Sequence, residues 1–326
     1  MIGLRMNLHT HLEGWVRPAT ARELARAQGV PDPPHGWERA LWMPSAGTLT
    51  DFLAHVAAAY PVLGHPDALA QVTREAVEDA AADGTAFLEL RAGPTTHIRP
   101  GLPLDAVVSA MCAGLAEGVL ATGMPAVLVL AVLREFDEAA ALEVVESAVR
   151  HQDVGVVAVD LAGDEARYPD LRRFAPAFAR ARSAGLGVTA HAAEAADPSA
   201  ARHAHELLGV QRIGHGSRVV LDQKELSWAV AHELCFEVCP TSNVLTGAVT
   251  GLDAHPLHPM LASGARVVLG DDDPVTTGAP LSHERRIVSQ EMGLQRQELL
   301  ALSDAALDVA FCSDKVRQSL READAD

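Results

Sequence analysis

Cysteine and basic residues are both scarce in this chain, and each shortage excludes something. Cys112, Cys235, Cys239 and Cys312 are the four cysteines among 326 residues. They are too few and too scattered for a disulfide framework, and the Cys235/Cys239 pair lacks the second pair that a structural zinc site would show. We read them as reduced thiols of a cytoplasmic protein. Lys and Arg number 26 against 43 Asp and Glu, giving a formal net charge of -17. With no basic run, a grip on nucleic acid phosphates is not expected, and a small-molecule partner is. The start, "MIGLRMNLHTH", lacks the charged n-region, apolar h-region and small-residue cleavage site of a secretory signal. No apolar run reaches the length needed to span a bilayer, so no membrane association is expected. Internal linkers, low-complexity tracts and short-period repeats are missing too, and "QGVPDPPHGW" (28–37) reads as a loop inside one long connection.

What the chain does have is apolar substance, at 48% hydrophobic residues, enough for one large α/β core. Short β-rich runs recur at 4–8, 86–90, 126–133, 154–161, 186–190, 211–214, 234–239 and 265–270. Between them lie Ala/Leu-rich stretches, such as 67–84 and 137–151, with apolar residues at i, i+3, i+4 and i+7. About eight β-then-α units predict a (β/α)8 TIM-type barrel with extra helices, one domain over residues 1–326; a doubly wound open sheet is the alternative. Polar residues follow these runs: His9 and His11, Arg91, Arg134, Gly163, His191 with Glu194, His215, Ser242 with Asn243, and the aspartates of "GDDDP" (270–274). In a barrel those strand ends share one face, so the residues converge on one site.

Three consecutive carboxylates at the mouth of a buried strand need a positive partner, since burying an unpaired carboxylate costs several kcal/mol. "HTH" sets His9 and His11 two apart at a strand end, where a period of two points both imidazoles to one side, as half of a divalent metal site. His203 and His205 share that spacing inside a predicted helix, where it points them apart, and they read as surface histidines. A lone His191 after a strand is more often structural. Alongside an HxH pair and an aspartate, three His and one Asp with a position left for water suit a catalytic zinc. His215, between Gly214 and Gly216, is the candidate that orients or deprotonates the water.

These residues resemble the adenosine deaminase family of the metal-dependent amidohydrolases, from about Asn7 to about Phe311. The matching pieces include "HTHLEG" (9–14), "VVAVDLAGDE" (156–165), "HAAE" (191–194), "RIGHGS" (212–217), "FEVCPTSNVLTGAV" (236–249) and "HPLHPMLASGARVVLGDDDP" (255–274). The resemblance implies one divalent metal per chain, usually zinc, with iron or manganese as substitutes, held by His9, His11, His191 and Asp272. It implies that a metal-activated water attacks the purine carbon bearing the exocyclic amine and ammonia leaves. Glu194 is implied as the acid toward the adjacent ring nitrogen, His215 as the residue that positions and helps deprotonate the water, and Asp272 as a catalytic ligand. Asp273 and the Gly163 backbone are implied at the two sides of the purine, with His11 at the substrate and Glu13 at the sugar end.

Departures from the family pattern bear on substrate. Ala193 replaces a glycine in "HAGE", Trp15 stands where a small residue is usual and is placed to reshape the sugar end, and Asp271 replaces a Ser or Thr. The implied substrate is a purine nucleoside: adenosine, deoxyadenosine or a 5'-substituted relative such as aminodeoxyfutalosine. The rival readings are a deaminase of free adenine or another aminated heterocycle, and a barrel that binds nucleosides without catalysis. Assembly into a homo-oligomer is left open.

Overall fold

The computed structural model describes residues 3–325. Eight parallel strands follow one another around a single sheet in chain order: β1 (Met6–His11), β2 (Phe87–Ala92), β3 (Ala126–Leu133), β4 (Val156–Ala162), β5 (Gly187–Ala192), β6 (Arg212–His215), β7 (Cys235–Val238) and β8 (Arg266–Leu269). Each of the eight apolar runs in the sequence overlaps one strand. Closure comes from beyond β8, where Asp272 pairs with β1: His11 N donates to Asp272 O at 2.7 Å and Asp272 N donates to His9 O at 3.0 Å. A doubly wound sheet reverses its strand order part-way; this one never does. The architecture is a (β/α)8 barrel with extra helices.

Helices cover the outside because their apolar stripes and the outward residues of the strands bury one another. Leu88, Leu90, Leu128, Leu130, Val159 and Ile213 lie in one continuous core with helix residues such as Val72, Val108 and Phe178. A second cluster, with Met6, Leu8, Phe87 and Val268 against Ala306 and Leu307 of the helix Arg296–Val309, closes the bottom.

Two expectations need correction. Several strands run further than hydropathy suggests, so His9, His11, Arg91 and His191 lie within β1, β2 and β5; polar residues facing a barrel lumen end an apolar run in the sequence without ending the strand. And one helix, Leu104–Thr122, is long and apolar enough to cross a membrane by length and composition. In the fold it is an outer barrel helix laid tightly on the helix Pro66–Ala82. A Cβ at Gly114 would sit 2.1 Å from Ala70 O, and one at Gly118 2.6 Å from Val77 Cβ. Its apolar surface is thus partly spent on a neighbouring helix, which a hydropathy reading cannot see.

Candidate active site

β1 places two rings in the barrel lumen because His9 and His11 are two apart, while Thr10 between them points away. Thr10 Oγ1 donates to Asp272 O at 3.1 Å and accepts from Trp15 Nε1 at 2.8 Å. Asp272, in the left-handed region at φ 60, turns its carboxylate inward so that Oδ1 lies 3.4 Å from Nε2 of both His9 and His11. His11 Nε2 is 3.2 Å from His191 Nε2. The four side chains offer ligand atoms all within 4.8 Å of one another.

This donor set fits a divalent metal. Three imidazole nitrogens and a carboxylate oxygen converge on one point, and His9 Nε2 is buried with no hydrogen-bond partner among the described residues. The outward nitrogens are fixed: His9 Nδ1 meets Glu237 Oε2 at 2.8 Å, and His191 Nδ1 meets Asp160 Oδ2 at 3.0 Å. Such carboxylate partners set the tautomer and aim the free nitrogen. Burial, with the charge of Arg91 added, holds His9 below its ordinary range, and burial holds His11 well below it, which keeps both neutral and able to ligate.

Glu237 and Asp160 belong to a buried ionic floor that the sequence reading missed. Arg91 bridges Asp160 at 3.1 Å and also contacts Glu237, while Arg212 bridges Glu237 at 2.6 Å and Glu89 at 2.8 Å. Both guanidiniums also donate to Leu8 O, at 2.9 and 3.0 Å. The signal was available, since Glu89, Asp160, Arg212 and Glu237 each interrupt an apolar strand run at lumen parity.

Glu194 stands on the loop after β5, and that loop is held by another residue not singled out. Glu165 accepts from four successive backbone N–H groups, those of Ala193 (2.8 Å), Glu194 (3.0 Å), Ala195 (3.0 Å) and Ala196 (3.2 Å). Thr246 Oγ1 donates to Glu194 Oε1 at 2.9 Å, which leaves Oε2 facing the cavity, 3.7 Å from His215 Nε2. Burial, reinforced by the charge of Asp272, pushes Glu194 up to about 7. Asp272 Oδ2 accepts from Ser242 Oγ at 2.5 Å.

Above these groups lies a cavity of about 210 Å³. His11, Glu13, Gly163, His191, Glu194, His215, Asp272 and Asp273 all line it, so most of the residues named from sequence come together; His9 lies just beneath, fully buried. Leu49, Phe52, Leu53 and Val56 form an apolar wall that the sequence reading did not find. Glu13 Oε1 accepts from Gly93 N (3.1 Å) and meets His97 Nε2 (2.9 Å). Asp273 packs so tightly on Gly14 that a Cβ there would fall 2.2 Å from its Oδ1. Burial and the neighbouring Asp272 push Asp273 well above the carboxylate range. Trp15 is a correction: it does not line the cavity but is buried in the core with its indole bonded to Thr10, because the short helix Leu12–Trp15 turns it away from the mouth.

The sequence profile of the adenosine deaminase family matches residues 5–325. The chain belongs to the adenosine deaminase family. Membership makes it a metal-dependent hydrolytic deaminase of adenine nucleosides, which act at a C–N bond. Among its relatives in the adenosine deaminase family, the "Adenosine deaminase" of Shewanella denitrificans is 36% identical, over 98% of this chain and 98% of its own length. An adenine deaminase from Arthrobacter aurescens superposes with a TM-score of 0.91 at 28% identity, covering 99% of this chain and 98% of its own. An N6-methyl-AMP deaminase from Arabidopsis thaliana gives 0.87 at 26% identity, covering 99% and 96%. A catalytic metal follows from the family and from the His-rich cluster.

Proposed function

We propose that this chain, as one barrel domain, converts an uncharged adenine nucleoside, adenosine or deoxyadenosine, and water to the 6-oxo nucleoside and ammonia, with zinc held by His9, His11, His191 and Asp272. The observation that carries the substrate reading is the cavity lining. Among the described residues it contains no Lys or Arg, while Glu13, Glu135, Glu194, Asp272 and Asp273 all reach it. A phosphate, or the carboxylate on the 5' group of aminodeoxyfutalosine, would be buried there without a countercharge, at a cost of several kcal/mol. The apolar wall suits a purine face, and the small volume suits a compact ligand.

A bound zinc would supply the electrophile that lowers the pKa of the attacking water, from 15.7 to roughly 7. The chain's own groups do the rest. Glu194 is held by Thr246 through one oxygen and delivers a proton from the other to the ring nitrogen beside the reacting carbon, which makes that carbon electrophilic. Asp273, kept protonated by its surroundings, donates to the imidazole side of the purine. The backbone at Gly163 meets the pyrimidine side, and the free oxygen of Glu13 accepts from a sugar hydroxyl. His215 holds the attacking oxygen.

A panel of adenosine, deoxyadenosine, AMP, adenine and aminodeoxyfutalosine, followed by ammonia release and ultraviolet difference absorbance, tests this. Turnover of the two simple nucleosides at least tenfold above the anionic ones is expected. Equal or better turnover of AMP would overturn the substrate reading. Glu194→Gln should keep its metal and lose nearly all turnover, whereas Asp272→Ala should lose metal as well; full activity of the Glu194 variant would overturn the mechanism.

A further inference from the structure

The hydrogen bonds behind His215 run in a single direction, and that direction can be read from one end. The backbone N–H of Leu257 can only donate, and it lies 3.2 Å from Nδ1 of His255. That nitrogen therefore carries a lone pair, and a neutral His255 has its proton on Nε2. His255 Nε2 lies 3.1 Å from Asn243 Oδ1, which accepts it. With its carbonyl so engaged, Asn243 turns its amide nitrogen to His215 Nδ1, at 3.0 Å. An amide nitrogen has no lone pair to offer, so His215 Nδ1 is the acceptor and the ring proton is on Nε2, the nitrogen facing Glu194 and the cavity.

We propose that Asn243 and His255 lock His215 as the neutral imidazole protonated on Nε2, so that it donates a hydrogen bond to the oxygen that becomes the 6-oxo group and does not act as the base toward that oxygen. This deepens the deaminase reading and rests on it. Nε2 already holds a proton and cannot take another while Nδ1 remains an acceptor, so the attacking water's proton must leave by another group; Glu194, across the cavity, can take it on the oxygen that has given its own proton to the ring nitrogen. All three relay side chains are buried, which shuts out a water that could exchange the directions. Burial also pushes the His255 imidazole down to about 4, in line with a neutral ring at the head of the relay. The ring's placement is imposed by the fold: His215 ends β6 in the left-handed region at φ 60, and Asn243 sits on the buried turn of helix Pro240–Leu245. Asn243 and His255 are on this account positioning residues, acting through His215.

The test uses zinc-loaded enzyme labelled with 15N-histidine. Ring nitrogen shifts are read by long-range 1H–15N correlation, with His215 assigned by its loss in His215→Gln. The proposal expects Nε2 protonated and Nδ1 bare. A proton on Nδ1, or on both nitrogens, at neutral pH overturns it. Asn243→Asp puts a group that can only accept behind the ring; it should move the His215 proton to Nδ1 and lower kcat roughly 100-fold, the scale of losing one donor to a developing oxyanion, with KM within about threefold and zinc content unchanged. A flipped tautomer with unchanged kcat overturns the donor role. If Asn243→Asp does not fold, the wild-type spectrum alone decides the tautomer. An enzyme inert toward every adenine nucleoside overturns the deaminase reading and the donor role together, and the spectrum still decides the relay.

Discussion

Ala193 adopts φ 55, a conformation that costs a side-chain-bearing residue about 1–2 kcal/mol and that the glycine usual in this family would take freely. The Glu165 carboxylate below it, together with the 2.7 Å bond from Arg218 N to Ala193 O, holds the strained turn that presents Glu194. Trp15, a second departure, acts on stability. Trp15→Phe should lose about 1 kcal/mol with the Thr10 bond and leave KM unchanged. Calorimetry with steady-state kinetics checks this, and a large KM change would return Trp15 to the substrate. Asp271, the first aspartate of "GDDDP", is buried beside Asn7 and Thr10, and burial pushes it up to about 7, so it carries a full negative charge only above neutral pH. Glu284, fully buried under Thr241 N, is pushed by burial up to about 8. Its native carboxyl keeps a proton that the unfolded chain releases above about 4.5. The stability it contributes is therefore full below that pH and is lost as pH rises toward 8. Glu284→Gln cannot ionise and should gain on the wild type between pH 5 and pH 8 in urea midpoints. A difference that stays constant with pH would mean that the carboxyl titrates normally.

At the scale of elements, the helix Leu49–Ala57 is what turns an open barrel mouth into a cavity. It begins with a capping box in which Thr48 and Asp51 each accept from the other's backbone N–H. Thr50 Oγ1 donates to Asp164 Oδ2 at 2.8 Å, tying this helix to the loop beyond β4, and the helix turns Phe52, Leu53 and Val56 inward. Thr48→Ala should cost about 1 kcal/mol of helix stability. It should raise KM for adenosine severalfold at nearly constant kcat, because the chemistry sits on the opposite wall. Unchanged KM in initial-rate measurements would mean that the cap does not hold the wall.

For the whole molecule, the decisive feature is how charge is balanced inside the barrel. Glu89, Asp160 and Glu237 face Arg91 and Arg212, which leaves one net negative charge on the floor, and Asp272 adds another above it. A divalent cation held by His9, His11, His191 and Asp272 would neutralise both. Removing it leaves uncompensated buried charge, so chelation should lower the melting temperature by several degrees, and added zinc should restore it. A ligand at about 100 times its Kd contributes about 2.7 kcal/mol. Scanning fluorimetry beside metal analysis checks this; a melting curve unmoved by full metal loss would mean that the ion does not hold these residues together.

The alternation of β-rich runs and amphipathic stretches was enough for eight β-then-α units, because hydrophobic periodicity is a local property of the chain, while strand order and closure through Asp272 decided the barrel over a doubly wound sheet. His9, His11, His191 and the aspartates of "GDDDP" stood out because each follows, or ends, an apolar run, while the choice of Asp272 among the three aspartates came from the family resemblance. The tertiary structure alone decided what depends on lateral neighbours. It placed Trp15 in the core and set a carboxylate behind each of His9 and His191. It laid Glu165 under the Glu194 loop and aligned Leu257, His255, Asn243 and His215 into one directed chain. Those partners are brought together by barrel closure from distant parts of the sequence, and no local pattern encodes which side of a strand or loop will meet them.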